Sequence, residues 1–292
     1  MQKANLFAFF LLTVMAALLL GSVWNDSATM DELAHIPAGY SYATLRDFRL
    51  NPEHPPLLKA LSGFFIRLFV RPHFPTDTVF WQNDLNGQWA QGAKFLYESG
   101  NNADRIIFWS RVPVMLLALF FGFILFLWAK KKFGTQAAAL TLMFFVFSPT
   151  ILAHSRYMTT DLGAAFGFFI AIASFISFLQ QPSKKYIILA GILSGTALLL
   201  KFSLVLLLPI YLILFAAWII AQPRAHFKNW LAVTGKLLIK MILVGIVALL
   251  MVWLTYALFT RNYPQARQFH DTETLLGSYG FRQAVDFDLL LV

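Results

Sequence analysis

Six uncharged, apolar runs dominate this chain: Ala4–Asn25, Val112–Ala129, Phe133–Ser155, Leu162–Ser183, Phe202–Pro223 and Met241–Thr260. A helix needs about 20 mainly apolar residues to cross the hydrocarbon core of a bilayer, and each run has about that length. A seventh run, Tyr186–Leu200, is short but completes a crossing if Lys201 sits at its outer end. The amino-acid balance agrees, with 59% hydrophobic and 13% charged residues among 292. A soluble domain carries about 25% charged residues, so lipid must be the solvent for much of this surface. The expected fold is all-α: a polytopic membrane protein of about seven transmembrane helices, with interfacial helices in its first outer loop. The first run exceeds the apolar stretch of a signal peptide and no small-x-small cleavage site follows, so it reads as an uncleaved anchor.

Basic clusters set the orientation. Lys130-Lys131-Lys132, Lys184-Lys185, and Arg224 with Lys228 lie in short connections, and the positive-inside rule places such turns in the cytoplasm. Seven spans with a cytoplasmic N-terminus satisfy all three. The outer side then receives residues 26–105, the His154–Asp161 turn, the Lys201 hairpin and the segment after Arg261. Inward connections are simple basic turns, whereas every outward one holds unusual polar residues, which points to chemistry on the outer face. The net charge of +9 fits cytoplasmic anchors and anionic lipid. With no basic stripe or binding motif, nucleic acid is excluded. The absence of cysteine excludes disulfides and thiol ligands.

The outer loop opens with Asp31-Glu32 and His35, and Asp31 and His35 share a helical face at i, i+4. Pro37 and Gly39 predict that any helix here is short or broken. Asn51-Pro52-Glu53-His54-Pro55-Pro56 follows, stiff and extended before a helix, and Leu57–Val70 carries Lys59 and Arg67 along an interfacial helix. The plain alternative for Asp31 and Glu32 is a pair of first-turn charges favoured by the helix dipole. Thr159-Thr160-Asp161 reads as an N-cap or as a carboxylate held at the membrane edge for a metal or substrate. Arg111 and Lys201 either snorkel or grip a phosphate. Gly191 and Gly195 form a small-xxx-small spacing for close helix packing.

Taken in order, these pieces resemble the GT-C glycosyltransferases that use polyprenyl-phosphate sugars, in the branch of the protein O-mannosyltransferases and lipid A aminoarabinose transferases. The resemblance rests on Asp31-Glu32, Asn51 to Lys59 with its Pro-Pro pair, and Arg111-Val112-Pro113. It continues through Ser148-Pro149 to Asp161 and through Gly191–Gly195 to Lys201, with Pro209 beyond. It implies Asp31 as the base, or orienting group, for an acceptor hydroxyl that attacks the anomeric carbon with inversion. Glu32, His54, Lys59, Arg111, Arg156 and Lys201 become substrate-binding positions, with Lys201 the first candidate for the donor phosphate. Glu53 and Asp161 match positions that hold a divalent metal (Mg, Mn or Zn) in some relatives. The implied partners are a polyprenyl-phosphate-linked sugar, a protein, lipid or glycan acceptor, and membrane lipid; short loops and the lack of a eukaryotic targeting signature point to a bacterial plasma membrane.

On this reading residues 1–260 form the transmembrane catalytic module and residues 261–292 a polar tail. Members of the branch usually run longer, which raises the expectation of a fragment, a split-gene product or a divergent member. Two other functions compete. A transporter would place ionisable groups at mid-membrane and often repeat its halves, features this sequence lacks. A non-catalytic accessory subunit would leave Asp31 and Asp161 dispensable.

Overall fold

The structure, a computed structural model, describes residues 2–221 and 227–278. Its helices are α1 (Gln2–Val23), α2 (Met30–Thr44), α3 (Leu57–Phe69), α4 (Val79–Gln82), α5 (Gln88–Ala93), α6 (Ala103–Phe133) and α7 (Thr135–Val146). They continue with α8 (Pro149–Ser155), α9 (Asp161–Gln180), α10 (Lys184–Leu198), α11 (Leu207–Ala221), α12 (Phe227–Phe259) and α13 (Gln265–Ser278). No strand occurs among the described residues. The all-α polytopic expectation therefore holds.

Fewer helices than the seven expected reach the length of a span among the described residues. Five helices are long and apolar enough to span a membrane, or six if α7 and α8, bent by 60°, count as one broken span. Ser148 and Pro149 make the bend, since proline has no N–H to continue a helix and the Ser148 hydroxyl caps α8 at Ile151 N. The predicted seventh span, α10, has 15 residues, about 22 Å of helix against a core of about 30 Å. Its Gly191 and Gly195 do what their spacing implies. A Cβ on Gly191 would lie 2.5 Å from Val247 Cβ, and one on Gly195 2.8 Å from Ala248 O, so α10 and α12 pack backbone to backbone. The helix holding Arg111-Val112-Pro113 starts earlier than expected, at Ala103, with Pro113 inside it.

The insertion between α1 and α6 packs as part of the bundle. Met15, Ile36, Ile66, Phe95, Val114, Leu142, Phe166 and Leu204 belong to one buried cluster that joins α1, α2, α3, α6, α7 and α9. Within the insertion α2 crosses α3 at two glycines, and a Cβ on Gly63 would lie 1.9 Å from Gly39 O. Contrary to the expectation of a broken helix, α2 runs unbroken for 15 residues through Pro37. Pro37 has no N–H to give to the carbonyl of Leu33. That carbonyl is the atom on which α5 packs, where a Cβ on Gly92 would lie 1.7 Å from Leu33 O. The proline and glycines that predict a break serve instead as close helix contacts.

Two ends can be told apart. Lys130 donates to Asn5 Oδ1 at 2.9 Å, joining the α6–α7 turn to the start of α1, and Lys240 donates to Pro182 O at 2.6 Å beside the α9–α10 turn. The polar insertion lies at the other end, where Leu57 N donates to Leu199 O at 3.2 Å. The segment after α12 is more than a polar tail, because α13 returns to the insertion. Asn262 N donates to Arg46 O at 3.0 Å, and Tyr263 is buried with Tyr42, Phe48 and Trp81. The predicted basic turn at Arg224 and the acidic Asp286-Phe287-Asp288 lie outside the described residues.

Candidate functional site

Five separate stretches of chain converge on one cavity at the polar end. It measures about 180 Å³ and is lined by Asp31 and His35 of α2, Asn51, Glu53 and His54, Trp89 of α5, Thr159-Thr160-Asp161, and Lys201. Asp31 and His35 reach it together, as their i, i+4 spacing requires. Of the predicted positions, the cavity gathers Asp31, Glu53, His54, Asp161 and Lys201. Glu32, Lys59, Arg111 and Arg156 are not among its lining residues.

Neighbouring Asp31 and Glu32 do different work because they leave the helix in different directions. Asp31 is exposed. Glu32 is fully buried; its Oε2 accepts from Thr29 N at 2.9 Å and from Arg111 Nη2 at 2.7 Å, and its Oε1 from Arg111 Nε and Met158 N, both at 2.8 Å. Arg111, also fully buried, spends further donors on Ser27 O at 2.8 Å and Asp26 O at 3.3 Å. The pair pins α2 to α6 and to the Met158 turn. The carboxylate nearest the helix N-terminus satisfies the dipole, and its main role is to meet a buried cation. Four of the five Arg111 N–H groups are thereby bonded within the protein, and Nη1 also stands 3.5 Å from Asp26 Oδ2. Arg156 lies beside the pair, donating to Ser22 O at 2.9 Å and standing 3.7 Å from Asp26 Oδ2.

Lys59 is likewise internal. Its buried ammonium donates to Asn51 Oδ1 at 2.6 Å, to Asn51 O and His54 O at 2.9 Å, and to Tyr42 OH at 3.2 Å. Burial pushes its pKa well below the usual lysine value. Asn51 Nδ2 passes the polar chain on to Gln88 Oε1 at 2.7 Å, and Gln88 Nε2 donates to Glu53 Oε1 at 2.7 Å. A helix-anchored cation thus fixes the Asn51–Pro56 bend and, through Gln88, aims the Glu53 carboxylate. Lys59 supports the site from behind and does not touch its contents.

Across the cavity Lys201 Nζ donates to Asp161 Oδ1 at 2.5 Å, and His154 Nδ1 stands 3.4 Å from Asp161 Oδ2. Lys201 leaves α10 in extended backbone, φ −155°, which points it back over the start of α9. His35 Nδ1 meets Met158 O at 3.0 Å, and its ring sits edge-on to His54 with centroids 5.5 Å apart. Burial, with Lys59 and His54 nearby, pushes the His35 pKa from 6.5 down to about 3. Burial lowers that of His54 as well. Both imidazoles are therefore neutral at physiological pH. Among the described residues no three His, Asp or Glu side chains converge as metal ligands, and an ammonium already occupies Asp161.

Three contributors escape a reading of the sequence: Gln88, which links Asn51 to Glu53, and Trp89 and Thr159 as cavity walls. The first two sit on the six-residue α5, which has no apolar period to announce it. Thr159 looked like part of a cap.

An all-α bundle with membrane-length helices thus gathers acids, imidazoles and a lysine around one cavity at a single end. The chain belongs to the dolichyl-phosphate-mannose-protein mannosyltransferase family, which it matches over residues 7–270. Members of that family are inverting glycosyltransferases, and this chain is a membrane glycosyltransferase of the GT-C type. No curated protein and no solved structure matches it.

Proposed function

We propose that the chain transfers a glycosyl group, mannose by family preference, from a polyprenyl-phosphate carrier to an acceptor hydroxyl on the non-cytoplasmic face of the plasma membrane. One observation carries this reading: an exposed carboxylate, Asp31, and an ammonium, Lys201, face the same small cavity from opposite ends of the sequence. Asp31 takes the proton of the acceptor hydroxyl as its oxygen attacks the anomeric carbon. The bond from that carbon to the phosphate oxygen breaks on the opposite side, and its electron pair leaves with polyprenyl phosphate. Lys201 meets the charge that develops there. The basic Lys130 turn at the other end of the bundle supports an outward-facing cavity. An acceptor serine or threonine in a protein agrees with the family.

The test is turnover with polyprenyl-phosphate mannose and a protein acceptor pool, read by mass spectrometry. Asp31→Asn keeps the shape and removes the base, so transfer should fall about 10²–10⁴-fold with unchanged accumulation in the membrane. Normal transfer by this variant would refute the assignment.

A further inference from the structure

Four buried side-chain polar atoms lack a well-formed hydrogen bond among the described residues, and three of them line the one cavity: His54 Nδ1, Trp89 Nε1 and Thr159 Oγ1. Thr159 Oγ1 lies near the Asp161 carboxylate. The fourth, Asp26 Oδ2, has Arg111 at 3.5 Å. Buried polar atoms are almost always paired, and each unpaired one costs stability. Three around one cavity mark surfaces completed by something that enters it. The cavity, about 180 Å³, has room for about six waters at their liquid volume, which suits a single pyranose ring. A donor N–H, a hydroxyl and an imidazole nitrogen suit the hydroxyls of a sugar, and an indole supplies the apolar wall that a sugar ring also presents.

The mounting of Trp89 supports this. Its neighbour Gln88 is locked between Asn51 and Glu53. Gln91 donates to Pro75 O at 2.6 Å and accepts from the Thr78 hydroxyl at 2.5 Å, while Gly92 seats α5 on the Leu33 carbonyl. Such a short helix gains nothing from propensity, yet every polar side chain on it is tied down. The result is an indole N–H fixed in place with no partner among the described residues.

We infer that Trp89, with Thr159 and His54, recognises hydroxyls of the transferred sugar, and that Trp89 Nε1 is a specificity-determining donor. This rests on reading the cavity as the transfer site. Lys201 grips the phosphate that every donor shares, whereas Trp89 and Thr159 grip what differs between one sugar and the next.

The test compares binding of polyprenyl-phosphate mannose with binding of bare polyprenyl phosphate, in the full chain carrying Asp31→Asn so that no turnover intervenes. Trp89→Phe keeps the ring and removes the N–H; Thr159→Val replaces the hydroxyl by a methyl. Each should weaken the mannosyl carrier by about five- to tenfold, the worth of one neutral hydrogen bond, and leave bare polyprenyl phosphate unchanged. Equal weakening of both ligands would make these residues merely structural and overturn the inference. So would equal affinity of the parent protein for both ligands, or unchanged preference in both variants. Failure of the catalytic reading shows elsewhere, as turnover by Asp31→Asn.

Discussion

Glu32 and Arg111, 79 residues apart in the chain, meet as an ion pair with both side chains fully buried. Removing one partner strands the other charge, which costs about 3–5 kcal/mol. Glu32→Leu or Arg111→Met alone should therefore lower detergent-solubilised thermal stability sharply or prevent accumulation. Replacing a buried pair with apolar residues is often neutral, so the double variant should recover. If Arg111→Met were stable but lost affinity for polyprenyl phosphate, the pair would be a substrate contact after all.

Lys201 offers the contrasting case, a cation partly open to the cavity. Lys201→Met should weaken binding of bare polyprenyl phosphate by about 10–100-fold, the range for a hydrogen bond to a charged group, with little change in melting temperature. Lys201→Arg should retain much of the affinity. Unchanged binding by the methionine variant would remove Lys201 from the donor site.

Acid should destabilise the protein through His35. The unfolded chain protonates this imidazole near 6.5, while the folded one resists until about 3. Between those values the unfolded state holds more protons, so stability falls as pH drops from 6.5 towards 3. Lys59 and His54 oppose the proton, and Asp161 at the start of α9 favours it. Melting temperature followed from pH 7 to pH 4 should decline, and His35→Gln should flatten that decline. A flat profile in the parent protein would contradict the assignment.

The crossing of α2 and α3 admits no side chain. Gly63→Ala would place a methyl 1.9 Å from Gly39 O, a backbone atom that cannot rotate away. The variant should fail to accumulate, whereas Gly235→Ala, where nothing lies within 4 Å, should be neutral. Immunoblots of membrane fractions decide this.

The spans were legible because apolar runs of bilayer length have few other uses, although α10, at 15 residues, is shorter than that length. Asp31, Glu53, His54, Asp161 and Lys201 were legible as unusual polar residues at one end. What sequence could not show was which polar groups point inward. Lys59 looked like an interfacial cation, yet its side chain faces a nest of carbonyls built by the Asn51–His54 bend. Glu32 and Asp31 are adjacent letters with opposite fates, decided by Arg111 far away. Pro37 and Gly39 predicted a break by local rules. Tertiary contacts from Gly92 and Lys59 reversed it.

Asn262 Nδ2 reaches back 217 residues to donate to Leu45 O, and Tyr263 completes the packing around Tyr42 and Trp81. The insertion is synthesised early, but this part of its packing waits for a segment synthesised much later. Contacts of such long sequence separation form late in folding. During biogenesis the chemistry-bearing end should therefore mature last, after α12 is in place. A ribosome-bound intermediate ending before Asn262 would expose the Phe48 and Trp81 surface to quality-control factors.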